Sequence, residues 1–263
     1  MAYLRPAVIG AGVMGEAIIS SLLRIGFEPS VITIREKRPE RAKELVDKYG
    51  VSAGSIEECD VLLLAIKPQD VENTLTHLSS EFAQGALLVS LLAGVKAAKI
   101  ESLVDSSIRV VRVMPNTPLL ISNGMSAIAP TMRATEADIS WVKRLLESSG
   151  KAIVVAEDAM DAVTATSGSG PAYLFGFVEA MMKAAERLGL DKSDAKLFVE
   201  QTFHGAALML EQSGKDVKTL RENVTSPKGT TAAALAVFEN SKLDEIVYEA
   251  MKVARDRSIE LSS

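Results

Sequence analysis

The sequence predicts an α/β fold in which a mostly parallel sheet of the dinucleotide-binding kind is followed by an all-helical domain. Three observations carry that expectation. A glycine-spaced turn, Gly10-Ala11-Gly12-Val13-Met14-Gly15, joins an apolar run at residues 7–9 to a segment with apolar residues at Met14, Ala17, Ile18, Leu22 and Ile25. Near-continuous apolar runs then alternate with helical segments, the pattern of strands covered on both faces. Beyond Asp158 the strand signal stops and only helical spacing remains.

The glycine turn has a chemical logic. Gly10 permits a tight turn, Gly12 lets the backbone approach a pyrophosphate, and Gly15 lets the helix lie close to the strand. The helix start then offers unpaired N–H groups and its positive dipole end to the phosphates. A glycine-rich surface loop would share the spacing, but it would not have a strand before it and an amphipathic helix after it.

The next strand is expected at residues 31–34, rich in β-branched side chains. Its end bears on the nicotinamide cofactor, since an acidic residue there hydrogen-bonds a ribose 2′-hydroxyl and a cation accepts a 2′-phosphate. The residues are Arg35-Glu36-Lys37-Arg38, which hold both signals. Three cations against one carboxylate favour NADPH, with NADH as the alternative. A helix follows from Pro39 to Tyr49, stopped by Gly50. Further strands are expected at 61–66, 87–92 and 108–113, running out at Lys67-Pro68, Ala93-Gly94 and Met114-Pro115-Asn116. In open parallel sheets ligands sit beyond the carboxyl ends of the strands, which gathers these exits and the glycine turn along one rim. Residues 124–129 and 151–156 give two more strands around a helix at 134–147, and the nucleotide domain, 1–156, closes there.

In the second domain, 157–263, Leu174, Phe177, Val178, Met181, Met182, Ala185 and Leu188 repeat at helical spacing and read as core. A second helix covers about 193–212 and another runs from Leu243 to the C-terminus. An all-helical extension rich in apolar residues predicts a homodimer at least, in which a second copy completes the core. Two loops interrupt these helices. Ser167-Gly168-Ser169-Gly170-Pro171 precedes the long helix, with Ser169 as its cap and Pro171 in its first turn. Asn223 to Thr231 leads into a helix ending near Glu239, with Ser226 as cap and Pro227 at the first position. Gly229, Thr230 and Thr231 would then present N–H groups and hydroxyls suited to a small carboxylate.

Composition narrows the function. The formal charge is −5 and the Lys37, Arg38, Arg41 group is interleaved with Glu36, Glu40 and Glu44, so nothing tracks nucleic acid. One cysteine, Cys59, excludes an internal disulfide and fits a reducing compartment. His77 and His204 build no metal site and read as ordinary helix residues. With no signal-like start and no apolar span of about 18 residues, a cytoplasmic protein away from membranes is expected.

On these residues the chain resembles pyrroline-5-carboxylate reductase, the last enzyme of proline synthesis. The likeness runs through Gly10–Gly15, Ala65-Ile66-Lys67-Pro68, residues 111–118, 161–165, Ser167 to Tyr173 and Asn223 to Thr231, the last two being the most specific. It implies a Rossmann domain followed by a helical dimerisation domain, each active site completed by a partner subunit, and dimers assembling up to decamers. It implies that Thr231 hydrogen-bonds the ring nitrogen of 1-pyrroline-5-carboxylate and that Ser226, Gly229 and Thr230 cradle its carboxylate, with Glu157 beside the ring of the L-proline product. Gly10, Ala11, Gly12, Val13, Met14, Gly15, Arg35, Lys37, Arg38, Ala65, Ile66, Lys67, Pro68, Leu91, Leu92, Ala93, Asn116 and Asn223 form the expected cofactor set. The chain departs from the family in two places: Lys228 stands where glycine is common, and the usual Asn-Arg-Ser/Thr after the second strand is absent. A cyclic iminium is already electrophilic, so the chemistry needs no strong general acid, in keeping with candidate loops that hold no histidine. Two alternatives remain at this level. A β-hydroxyacid or imine dehydrogenase would use a helix lysine, Lys183 or Lys192, as proton donor. A non-catalytic NADP redox sensor would need no anion site at 226–231.

Overall fold

The computed structural model describes residues 4–261. They form two compact units: one runs to Ser169 and takes in the chain from Ala254 onward, and the other is Gly170–Val253. The first unit is built on an eight-stranded sheet of β1 (Pro6–Ile9), β2 (Thr33–Arg35), β3 (Ser52–Ala53), β4 (Val61–Leu64), β5 (Leu87–Ser90), β6 (Arg109–Met114), β7 (Gly124–Pro130) and β8 (Gly150–Val154). Their order is β3-β2-β1-β4-β5-β6-β7-β8. Neighbours run parallel except β6 and β7, which are antiparallel with Met114 opposite Ala127. The mostly parallel sheet is the one expected.

β1, β4 and β5 are buried along their whole length, which is why their sequences are apolar without alternation. Val8, Leu63, Val89 and Val111 face one apolar cluster, together with residues of α1 (Val13–Arg24), α2 (Pro39–Tyr49) and, further along, Trp141 to Leu146. Ile9, Leu62, Leu64, Leu88 and Val110 face the other, against α3 (Val71–Leu78) and α4 (Ala97–Glu101). Helix α5 (Glu136–Glu147) opens with a capping box, Thr135 and Asp138 satisfying each other's backbone N–H.

Some boundaries differ from expectation. The second strand begins at Thr33, not residue 31, because Pro29–Val31 form a 3₁₀ turn closed by Ile32 N–H to the Pro29 carbonyl, 3.1 Å. Proline's fixed φ seeds that turn and leaves Val31 exposed. β4 and β5 end two residues short of their apolar runs, where the chain turns out to the rim. β3 was not expected at all, and its two residues are too few to show a period.

The stretch expected as a loop before the long helix is more ordered. α6 (Met160–Val163) runs into a π-helical turn, Thr164–Gly168, and Ser169 donates its N–H to the Thr164 carbonyl at 2.8 Å. Ser169 therefore closes that turn, and α7 (Gly170–Arg187) starts directly after it. The second unit continues with α8 (Lys192–Gln212), α9 (Val217–Asn223), α10 (Thr230–Asn240) and the start of α11 (Leu243–Glu260). Phe177 sits against Phe203 and Phe238 with ring centroids 6.0 and 6.2 Å apart. Of this unit's apolar side chains only Ala195 and Val199 are buried, while Phe175, Leu197, Phe198, Val237 and Val253 are more than half exposed.

The final turn of α11 belongs to the first unit. Ser258 donates to Asp161 Oδ1 at 2.7 Å. Gly94 has φ +71°, and a Cβ there would come within 3.0 Å of Leu261 and 3.1 Å of the Ser258 carbonyl. No described helix is long and apolar enough to cross a membrane.

Candidate active site

The glycine turn has the shape its spacing implies. Gly10 has φ +84°, and a Cβ there would lie 2.6 Å from Ile66 and 2.8 Å from the Ala65 carbonyl; a Cβ on Gly15 would collide with the Gly10 carbonyl oxygen. At Gly12 a Cβ would meet nothing within 4 Å, so the turn is closed on its protein side and open where a pyrophosphate would lie. It borders a cavity of about 860 Å³ lined by Gly10, Gly12, Val13, Met14, Arg35, Lys37, Arg38, Ala65, Ile66 and Lys67 from the expected set. That donor set and opening fit a nicotinamide dinucleotide. Ala11 and Gly15 are buried behind the turn, and Pro68 starts the 3₁₀ turn that follows Lys67.

Ala11 is tied at both backbone atoms. Its N–H donates to Glu36 Oε2 at 2.9 Å and its carbonyl accepts from Arg41 Nε at 3.0 Å. Arg41 also pairs with Glu16, which accepts from Lys48 at 2.8 Å and Tyr49 at 2.9 Å. Burial pushes the Glu16 carboxyl upward, but the hydrogen bonds from Lys48, Arg41 and Tyr49 hold it down at about 2. The sequence shows Arg41 only as one of a mixed charge cluster and gives no role to Glu16, although an acid in the first turn of the phosphate helix is a usable signal. His77, read as an ordinary helix residue, lines the same cavity, as does Thr74, whose buried Oγ1 has no hydrogen-bond partner.

Further along the sheet, Leu91 and Leu92 are buried and Ala93 half-buried at the exit of β5. Asn116, at the exit of β6, braces three segments: its Nδ2 donates to the Ser167 carbonyl and Oγ, both 3.3 Å, and its Oδ1 accepts from Met125 N–H at 2.9 Å. Glu157 lies beyond β8, where one oxygen, Oε1, accepts from Ala97 N–H at 2.7 Å and from Arg112 Nη1 at 3.2 Å. The Arg112 side chain is 3% exposed and its Nε has no partner, whereas Glu157 is 40% exposed. Arg112 was missed, yet a lone cation inside Val110-Val111-Arg112-Val113 marks a position that needs a buried counter-charge.

In the second unit, α10 starts later than expected. Its N-cap is Gly229, not Ser226, and no side chain caps it. Ser226-Pro227-Lys228-Gly229 is instead a turn closed by Gly229 N–H to the Ser226 carbonyl, 3.0 Å, with Lys228 at φ +59°. Proline at the second position and a left-handed third residue define a type II turn, which normally takes glycine third and here carries a lysine. A Cβ on Gly229 would strike Ser226 Oγ and come within 3.1 Å of the Ser226 carbonyl, so a side chain there would have to turn Ser226 away. Thr230 and Thr231 occupy the first two helical positions, where N–H groups have no intrahelical acceptor. Asn223 ends α9, exposed. Lys183 is paired with Glu179 on an exposed face, 2.6 Å, and Lys192 begins α8 at the surface, so neither is held as a proton donor.

A family profile described as pyrroline-5-carboxylate reductase dimerisation matches residues 157–261, and one described as NADP oxidoreductase, coenzyme F420-dependent, matches residues 5–94. A pyrroline-5-carboxylate reductase of Corynebacterium melassecola is 38% identical over 263 residues, covering 97% of each chain. The chain belongs to the pyrroline-5-carboxylate reductase family. The solved family member from Coxiella burnetii superposes with a TM-score of 0.91 at 33% identity, covering 99% of each chain. The one from Plasmodium falciparum, solved with NADP bound, gives 0.87 at 28% identity over the whole of both chains. As a member of this family the chain is an NAD(P)H-dependent oxidoreductase with a Rossmann domain and a helical dimerisation domain.

Proposed function

We propose that the chain reduces the C=N bond of 1-pyrroline-5-carboxylate to give L-proline, the closing step of proline synthesis, with NADPH as reductant and NADH as its alternative. The turn that rejects a side chain at Gly10 and Gly15 and stays open at Gly12, beside a cavity edged by Arg35, Lys37 and Arg38, supports the reductant half of this reading, and membership of the family supports the substrate half. A reduced nicotinamide supplies the hydride when bound. Residues 1–156 serve as the nucleotide domain. Gly10 to Gly15 hold the pyrophosphate, Arg35, Lys37 and Arg38 the 2′-phosphate, and Ala65 to Pro68, Leu91 to Ala93, Asn116 and Asn223 the remainder.

Residues 157–263 dimerise and bind substrate. The exposed aromatic and aliphatic side chains of the second unit support a homodimer at least. Further assembly of dimers into a decamer, and a cytoplasmic location, belong to the same reading. The first-turn N–H groups of α10, with Ser226, Gly229 and Thr230, receive the substrate carboxylate, and α10 is contributed to each site by the partner subunit. Thr231 orients the ring nitrogen by accepting its proton in a hydrogen bond, which keeps the iminium carbon facing the cofactor. Glu157, fixed through Oε1, keeps its other oxygen for the cationic ring.

Oxidation of NADPH in the presence of 1-pyrroline-5-carboxylate tests the activity. Thr231→Ala is expected to lower kcat at least about tenfold while leaving NADPH affinity within about twofold. Unchanged turnover would remove Thr231 from this role.

A further inference from the structure

An acidic side chain at the end of the second strand normally selects an unphosphorylated ribose, because it accepts from the 2′-hydroxyl and repels a 2′-phosphate. Glu36 stands at that position, one residue beyond β2, and lines the cofactor cavity. Its carboxylate faces inward. Oε2 accepts from Ala11 N–H at 2.9 Å, and Oε1 accepts from Arg38 twice, at 3.1 Å from the backbone N–H and 3.0 Å from Nε. The side chain is only 7% exposed, whereas that of Arg38 is 64% exposed. Burial pushes the Glu36 carboxyl up, but the Arg38 and Ala11 donors hold it below the usual carboxylate range, so it remains ionised and paired.

The cations around it are not equivalent. Arg35 leans towards Glu81 at 3.6 Å and the Gly54 carbonyl at 3.4 Å. Lys37 is exposed beside the cavity, and no ion pair is found for it among the described residues. Arg38 uses Nε on Glu36, which turns the outer edge of its guanidinium towards solvent.

We infer that the Glu36–Arg38 pair is the cofactor selector of this chain. Arg38 immobilises and cancels a carboxylate that would otherwise demand an unphosphorylated ribose, and leaves Lys37 and its own outer edge to a 2′-phosphate. Glu36 thereby serves as a brace for the glycine turn and not as a ribose ligand. This rests on the proposal that the cavity takes NADP(H).

The test is a set of four full-length proteins: wild type, Arg38→Ala, Glu36→Gln and the double variant. Each is titrated with NADPH and with NADH, following the fluorescence of the reduced dinucleotide. Arg38→Ala should weaken NADPH binding about tenfold and change NADH binding less than about threefold, the retained NADH affinity showing that the cavity is folded. Adding Glu36→Gln to that variant should recover at least about threefold of the lost NADPH affinity, because the uncovered charge is gone. If the double variant binds NADPH no better than Arg38→Ala, Arg38 is only a phosphate ligand and the selector is refuted. If Arg38→Ala leaves the NADPH to NADH ratio unchanged, it is refuted as well. Wild-type protein that binds neither dinucleotide would instead overturn the cofactor proposal beneath it.

Discussion

Arg112 and Glu157 form an ion pair whose two ends sit in different media, and that asymmetry has a measurable consequence. The cation is 3% exposed and the carboxylate 40% exposed. Glu157→Ala removes the counter-charge from a buried guanidinium that already has one unsatisfied nitrogen, and frees the Ala97 N–H as well. Breaking a fully buried pair in this way costs about 3–5 kcal/mol; because water already reaches Glu157, we expect roughly 2 kcal/mol here. Arg112→Met removes the cation together with its orphaned Nε and fills the space with an unbranched apolar chain. Glu157 then keeps its bond to Ala97 N–H and turns to water, so the expected change is within about 1 kcal/mol of zero. Urea unfolding followed by far-UV circular dichroism, at one fixed protein concentration, measures both. A loss in Arg112→Met as large as that in Glu157→Ala would refute the asymmetry. The same Arg112→Met protein should show a raised KM for 1-pyrroline-5-carboxylate with NADPH affinity unchanged, because Glu157 has lost one of its two tethers.

Glu16 gives a pH signature. Its folded-state pKa of about 2 lies below the ordinary 4.5, so its contribution is complete above pH 4.5 and disappears as the pH falls towards 2. The side chain is 16% exposed, and a shift of this size is worth up to roughly 3 kcal/mol. Glu16→Gln should therefore flatten the decline in unfolding free energy across that window, and parallel curves for the two proteins would contradict it. At the other side of the cradle, Gly15→Ala puts a methyl group against the Gly10 carbonyl oxygen, a backbone atom that can yield only if the turn itself shifts. NADPH affinity should drop by at least about thirtyfold in a fluorescence titration, and wild-type affinity would show that the turn is not the phosphate cradle.

Much of the fold was legible in the chain. β1, β4, β5 and β6 are buried on both faces, so continuous apolar runs located them to within two residues. Gly50, at φ +73°, ends α2 as its position suggested. What escaped depends on partners distant in sequence. The π turn at Thr164–Gly168 looks like a loop because it runs into Ser167-Gly168-Ser169-Gly170, and only its bonds to Asn116 and within the turn show otherwise. Arg112 was hidden by the apolar strand around it. In Arg35-Glu36-Lys37-Arg38 the residue types were visible, but which oxygen faces Ala11 is decided 25 residues away. The cap of α10 was displaced from Ser226 to Gly229 because Pro227 and Lys228 close a separate turn first.

The contact of Gly94 with Ser258 and Leu261 bears on the order in which the protein can be made. The first compact unit takes in residues from Ala254 onward, so its last pieces leave the ribosome only after all of Gly170–Val253 has been synthesised. Folding during translation therefore leaves the ledge beside β5 bare until residues 258–261 have been made, and a nascent chain halted near residue 240 would display it to any holding chaperone.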